Sequence, residues 1–239
     1  GMRTVTFKSV FDSVLILRGH DPAVISNIDQ VPYREIAAHI GRRVREGWEH
    51  AFFPEWTLIE ERTVEAGGVI SLVQTGKTRI GTVKELWNAN PRTTDAAATL
   101  DYLITSDGIQ TELDAAETAW VEFRKRAPRF TTTYYQSTNQ YQPGNVVFWP
   151  VTEDTQLYGN CYEARETATP GTYEWQLQEI PFVLEQWVIW ASFADCLMQD
   201  GQRERALQML SEVAKPELAR AVLVEIGQQG LSEGVRIRI

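Results

Sequence analysis

A chain of 239 residues with a formal net charge of −9, 43% hydrophobic and 10% aromatic, is a folded protein long enough for one large or two small domains. The acidic balance argues against a protein whose main work is clamping nucleic acid, which needs clustered Lys and Arg to displace counterions from phosphates. No stretch approaches the ~20 apolar residues that cross a bilayer, and no charged-then-apolar-then-small leader is read at the N-terminus. These features predict a protein soluble as made, without a membrane partner.

Phe7, Val10, Phe11, Val14 and Leu15 recur at spacings of three and four, so they paint one face of a helix that stops near Gly19. After His20-Asp21-Pro22, a second helical stripe runs through Tyr33, Ile36, Ala37, Ile40, Val44 and Trp48. Arg34, Arg42, Arg43, Arg45 and Glu46 fall mostly on its other faces, and Pro54 lies at or just past its end.

The period then changes to two. Residues 57–64 and 69–74 flank a turn at Ala66-Gly67-Gly68, which predicts a hairpin. Residues 79–87, 100–105 and 120–124 supply further strands, with turn signals at Asn90-Pro91 and Ser106-Asp107-Gly108. The basic run Arg124-Lys125-Arg126 with Arg129 reads as a solvated strand end and turn.

Residues 141–149, 158–164 and 172–177 form a small three-stranded β module. Their aromatic and β-branched runs are separated by turn residues at Pro143-Gly144-Asn145, Gly159-Asn160 and Pro170-Gly171. With it, the chain has about seven or eight short strands between residues 57 and 178, enough for a sandwich or a bent sheet.

Pro181 then suits the first position of a helix that is apolar on most sides, through Trp187, Trp190, Ala191, Phe193, Ala194 and Leu197. Asp200-Gly201 breaks it. Arg203–Val213 makes the next helix, and Pro216 starts the last, striped by Leu218, Val222, Leu223 and Ile226. The predicted class is α+β. Residues 1–56 and 181–239 form a helical domain, residues 57–132 an antiparallel β region, and residues 133–180 the small module.

Catalytic constellations are not read in the sequence. There is no Gly-x-Ser-x-Gly elbow, phosphate loop or dinucleotide fingerprint. His20, His39 and His50 lack helical metal-ligand spacing, and neither Cys161 nor Cys196 has a partner two to four residues away. The better reading of both cysteines is a free, buried or half-buried thiol. Of the acidic pairs, Glu60-Glu61 would point to opposite faces of a strand, while Glu112 with Asp114 and Glu153-Asp154 read as solvated surface. No catalytic, cofactor or metal residues are therefore expected.

Tyr141, Gly144, Asn145, Val147, Gly159, Tyr162, Ala164, Pro170, Trp175 and Leu177 follow an ordered pattern. In it the module resembles the chitin-binding type of carbohydrate-binding module. That resemblance implies sugar stacking on Tyr141, Trp149, Tyr162 or Trp175, whereas a module this small must also build its core from the same aromatics. The flanking segments point elsewhere. The helix ending in Trp48-Glu-His-Ala-Phe-Phe-Pro-Glu-Trp56, the stretches 80–91 and 120–131, and the closing helices around 191–195 and 200–206 resemble structural proteins of tailed phages and prophages, of the neck or head–tail adaptor kind.

The combined resemblance implies a non-enzymatic virion protein of the head–tail connection or tail, made in the bacterial cytoplasm. Its partners would be other phage structural proteins and copies of itself in a ring, with no specific nucleic acid. Trp56, Trp87 and Trp149 are the expected interface residues. The competing expectation is a carbohydrate-binding, adhesin-like protein using the module's aromatics. A third, a hydrolase, requires two carboxylates converging in a cleft.

Overall fold

The computed structural model describes residues 3–22, 31–51, 53–149, 159–166 and 173–230, an α+β protein. The predicted turn at Pro170-Gly171 and the pair Glu153-Asp154 lie outside the described residues. The chain divides into two compact units, Gly1–Ala51 with Pro128–Ile239, and Phe52–Ala127. The helices and the small module thus share one unit.

In that first unit, a strand that the sequence pattern did not announce, β1 (Thr4–Thr6), leads straight into α1 (Phe7–Leu17). The Thr6 hydroxyl accepts the Ser9 N–H and caps the helix. All five residues of the predicted stripe are buried. In α2 (Val31–His50), Ile36, Ala37, Ile40, Val44 and Trp48 are likewise buried.

The helix expected from Pro181 begins later. Pro181 closes a short strand, β11 (Glu179–Pro181), which pairs antiparallel with β1. A single 3₁₀ turn follows, and α3 runs Glu185–Gln199. Proline suits this strand end because its missing N–H leaves no ladder bond unmade there.

The predicted break before Pro216 is also absent. The chain passes from α4 (Arg203–Met209) through a π turn (Leu210–Ala214) directly into α5 (Lys215–Gly230). The Lys215 N–H reaches back to Leu210 O. Proline removes one helical bond and crowds the preceding turn, and a widened turn immediately before Pro216 accommodates both.

α2 packs on α3 through a close contact at Gly47. A Cβ there would lie 3.0 Å from two Trp187 ring atoms and 3.1 Å from Leu184 Cδ2. Trp187 donates from Nε1 to Arg43 O (3.1 Å), and Arg43 grips Asp195 of α3 with two bonds of 2.9 and 2.7 Å.

The small module has three strands, β8 (Val146–Phe148), β9 (Cys161–Glu166) and β10 (Tyr173–Leu177), in the order β10-β9-β8 and antiparallel throughout. It is joined to α1 by a Phe7–Phe130 ring stack (5.0 Å) and by the Lys8 N–H donating to Asn160 Oδ1 (3.1 Å).

The second unit holds two three-stranded sheets, and both contribute side chains to one hydrophobic cluster, Ile70 and Ile109 from one and Leu86, Val121 and Phe123 from the other. The first comprises β2 (Thr57–Thr63), β4 (Ile80–Trp87) and β7 (Thr118–Lys125), with β7 central. The second comprises β3 (Val69–Ile70), β5 (Leu103–Ile104) and β6 (Ile109–Gln110), with β6 central.

Of the expected hairpin between residues 57–64 and 69–74, only a single antiparallel bridge, Glu65↔Val69, closes the turn. The turn exists, with Gly67 and Gly68 both at positive φ, but β2 pairs with β7 and β3 with β6. β7 buries Ala119, Val121 and Phe123 in alternation, so one of its faces lies on the core of this unit, and β2 and β4 pair on its two edges. Arg124, expected in solvent, is 7% exposed at the end of this central strand. Among the described residues, no helix is long and apolar enough to cross a membrane.

Candidate functional site

The register of the module sheet puts Tyr162 and Trp175 on one face and Phe148 on the other. Val147 pairs with Tyr162, Tyr162 with Leu177, and Ala164 with Trp175. Cross-strand partners and alternate residues share a face, so Val147, Tyr162, Ala164, Trp175 and Leu177 all project to the same side. Trp149, two residues beyond Val147, extends this face. Its N–H donates to Asn160 O (2.9 Å) and its carbonyl accepts the Gly159 N–H (3.0 Å). Ala164, the smallest member, leaves room for the indole opposite.

A loop residue completes the cluster. The Tyr135 N–H donates to Phe148 O (2.8 Å), which sets its ring against Trp149 with centroids 4.1 Å apart and planes at 13°. Tyr141 stacks on the other side of Tyr135 (5.7 Å), and Trp175 meets Tyr135 and Tyr141 edge-on at 5.5 and 5.2 Å. Trp149 in turn meets Tyr162 at 5.8 Å. The Tyr141 hydroxyl accepts the Gln136 N–H (2.7 Å) and donates to Gln136 O (3.2 Å), pinning the loop. Below the sheet, Arg129 pairs with the Glu163 carboxylate (2.7 Å).

Of the expected site residues, Tyr141, Trp149, Tyr162 and Trp175 thus come together. Tyr162 is 4% exposed and serves as core; Tyr141, Trp149 and Trp175 are half-buried. Trp56 is fully buried, its ring 4.3 Å from that of Phe53, so the expectation that it forms contact surface is corrected: the ring is interior. Trp87 is half-buried at the end of β4, opposite Trp120.

Sequence reasoning missed Tyr135, whose signal was the twin Tyr134-Tyr135 shortly before Tyr141. It also missed a groove of about 460 Å³ beside the cluster, lined by Thr133, Thr138, Asn139, Gln140, Tyr141 and Asn145 among others. Amides, hydroxyls and one phenol line it together with Val146 and Val147, and among the described residues no charged side chain does. Such a lining suits a neutral, polyhydroxylated ligand and disfavours phosphates.

Among the described residues, the acidic pairs singled out in the sequence are either tied up in structural bonds or exposed. The Glu60 carboxylate accepts from Arg62 (2.8 Å) and from the Thr78 N–H and hydroxyl (3.2 and 2.6 Å), whereas Glu61 is exposed. Glu112 and Asp114 are exposed as well. His39 binds Gln199 Oε1 (2.9 Å). Among the described residues, no group of three or more His, Cys, Asp or Glu is placed to hold a metal ion. Both cysteines are free and buried. Burial pushes the Cys161 thiol up to about 12 and the Cys196 thiol up to about 11.

The fold and the aromatic cluster define an α+β protein with a built-in β module. No protein-family model, curated protein or solved structure matches the chain.

Proposed function

We propose that this protein is a non-enzymatic structural protein of a tailed-phage or prophage particle, acting in the head–tail connection or tail by contact with other particle proteins and with copies of itself. The observation that carries this reading is the mutual occupation of the module's rings: Tyr135 and Trp149 cover each other at 4.1 Å, and Tyr162 is interior. Ring faces engaged with one another are packing elements, and the module they pack is joined to α1. Exposed apolar side chains such as Leu103 and Leu223 supply contact surface of the kind assembly proteins cover. The test is mass spectrometry of gradient-purified particles with electron microscopy of a deletion strain. The expected result is a stoichiometric particle protein whose loss leaves heads without joined tails. Absence of the protein from particles overturns the reading.

A second reading, glycan binding, is favoured by the uncharged amide-lined groove at Asn139, Gln140 and Asn145 beside Tyr141. A chitin pull-down and glycan array with Asn139→Ala, Gln140→Ala, Trp149→Ala and Trp175→Ala controls test it. Specific retention lost in folded variants supports this reading, and no retention by the wild type removes it.

A further inference from the structure

The side chain of His39, on α2, is only 12% exposed and stands among charged groups at the joint with α3. Its Nε2 lies 2.9 Å from Gln199 Oε1, and its Nδ1 lies 3.4 Å from Arg42 Nη2 and 3.9 Å from Asp195 Oδ2. A guanidinium only donates, so Nδ1 accepts there and the ring proton sits on Nε2, which donates to Gln199 Oε1. This is the neutral ring in a single tautomer.

Asp195 is the anion that these cations share. Arg43 binds both of its oxygens (2.9 and 2.7 Å), and Arg42 Nη2 binds Oδ2 as well (2.8 Å). Arg43 also donates to Glu46 (2.6 Å), so the two arginines and two carboxylates balance. A proton added to His39 leaves one positive charge in excess.

No other neighbour supplies a counter-charge. On α1, which also packs on α2, Lys8 pairs with Asp12 (2.5 Å) and Arg18 at its end pairs with Asp200 (3.0 Å). The 3₁₀ turn before α3 carries no charged side chain, Glu185 stands at the opposite end of α3 from Gln199, and the Cys196 thiol is buried. Among the described residues, Glu35, one turn earlier on α2, forms no ion pair with the ring. The two arginines differ in their hold on Asp195. Arg43 is 13% exposed and doubly bonded, whereas Arg42 is 60% exposed. An ion pair with one member in solvent is held weakly, and a buried one is costly to break.

We propose that protonation of His39 exchanges the partners of Asp195: the new Nδ1–H moves onto Oδ2, and Arg42 leaves it for solvent. The proton comes from water, and Asp195 stays a carboxylate throughout. α2 remains joined to α3 through Arg43, while mild acid frees an exposed cation to meet an acidic surface. The trigger lies in the range where histidine ordinarily changes charge.

The test uses the full chain at about pH 8 and about pH 5. Nitrogen-correlated imidazole spectra are expected to show the Nε2–H tautomer of His39 at the higher pH and a doubly protonated ring at the lower. Across that step the Arg42 guanidinium is expected to rotate several-fold faster about Cζ–Nε, while that of Arg43 is unchanged. Crystals at the two pH values should show His39 Nδ1 closing on Asp195 Oδ2 from 3.9 Å to ~2.8 Å as Arg42 departs. His39→Gln is expected to keep Arg42 on Asp195 at both, and the wild-type comparison decides even without that variant. A neutral ring protonated on Nδ1, a ring that stays neutral down to acid unfolding, Arg42 still on Asp195 beside a protonated ring, or equal release of Arg42 in His39→Gln overturns the proposal. The exchange needs no particle partner, so its failure leaves the assembly reading standing.

Discussion

Tyr135 and Trp149 lie ring over ring, with centroids 4.1 Å apart and planes at 13°, although one belongs to an irregular loop and the other extends a strand. The stack ties the loop before β8 to the sheet, and Trp175 and Tyr141 close it edge-on at 5.2 Å. Aromatic pairs contribute about 0.5–1.5 kcal/mol beyond their burial, so the cluster contributes a large share of the stability of so small a module.

Truncating the shared member should therefore loosen the whole module. Trp149→Ala is expected to destabilise by about 3 kcal/mol, whereas Tyr135→Phe, which keeps the ring, should be near neutral. Urea unfolding gives the magnitude. Hydrogen exchange at Ala164, whose N–H donates to Asn145 O (2.8 Å), shows whether the loss is confined to the module. Unchanged exchange there in Trp149→Ala would contradict a unitary cluster.

Gly47 makes a second, independent prediction. Trp187 is 2% exposed and tied to Arg43 O, so its indole has little freedom to yield to a new side chain. Gly47→Val should lower stability by about 1–3 kcal/mol through overpacking, despite removing a helical glycine. Thermal unfolding checks this, and a raised midpoint would show that α2 and α3 slide apart without loss.

The faces of α1 and α2 were legible in the sequence because their period fixes which residues are buried, and Ile36, Ile40 and Val44 are all 0% exposed; the stripe expected in the last helix was not borne out at Leu223, which is 70% exposed. Strand pairing was not legible. The turn at Gly67-Gly68 is local, but whether residues 57–63 pair across it or with residues 118–125 depends on the core that Val121 and Phe123 build at long range. The same limit applied to the candidate site. Four of its rings were visible as strand aromatics, but Tyr135 joins through the backbone of Phe148, a contact no local pattern carries.

The α2–α3 ion pair predicts an acid limb of stability. Burial alone would raise the Asp195 carboxyl, but hydrogen bonds and charge from Arg43 and Arg42 outweigh it and hold the group below its ordinary value of 3.8. A carboxylate depressed in the folded state adds stability that is present above its unfolded pKa and lost as pH falls through the folded one. Stability should therefore decline below about pH 4. Asp195→Asn should reduce that slope, and Asp195→Ala should cost about 1.5–3 kcal/mol at neutral pH by taking two charge-assisted bonds from Arg43, which keeps only its pair with Glu46 (2.6 Å). Chemical denaturation across pH 2–7 measures both. An acid limb as steep in Asp195→Asn as in the wild type would assign it to other groups.

The buried thiols predict the opposite limb. Cys161 sits beneath the module sheet in contact with the Thr131 backbone, and burial pushes its pKa up to about 12. Cys196, within α3, is pushed up to about 11. An unfolded thiol ionises near ~8.5. Folding that keeps both neutral adds stability fully present below that pH and lost as pH rises toward the folded values. Two measurements follow. At pH 8 the native protein should resist a thiol reagent such as dithionitrobenzoate, and both cysteines should react once urea unfolds the chain. Between pH 8.5 and 11, Cys161→Ala should lose less stability than the wild type, even if it begins about 1 kcal/mol lower from the small cavity left behind. Rapid labelling of the native protein at pH 8 would mean that the module opens to solvent far more often than its packed aromatic face implies.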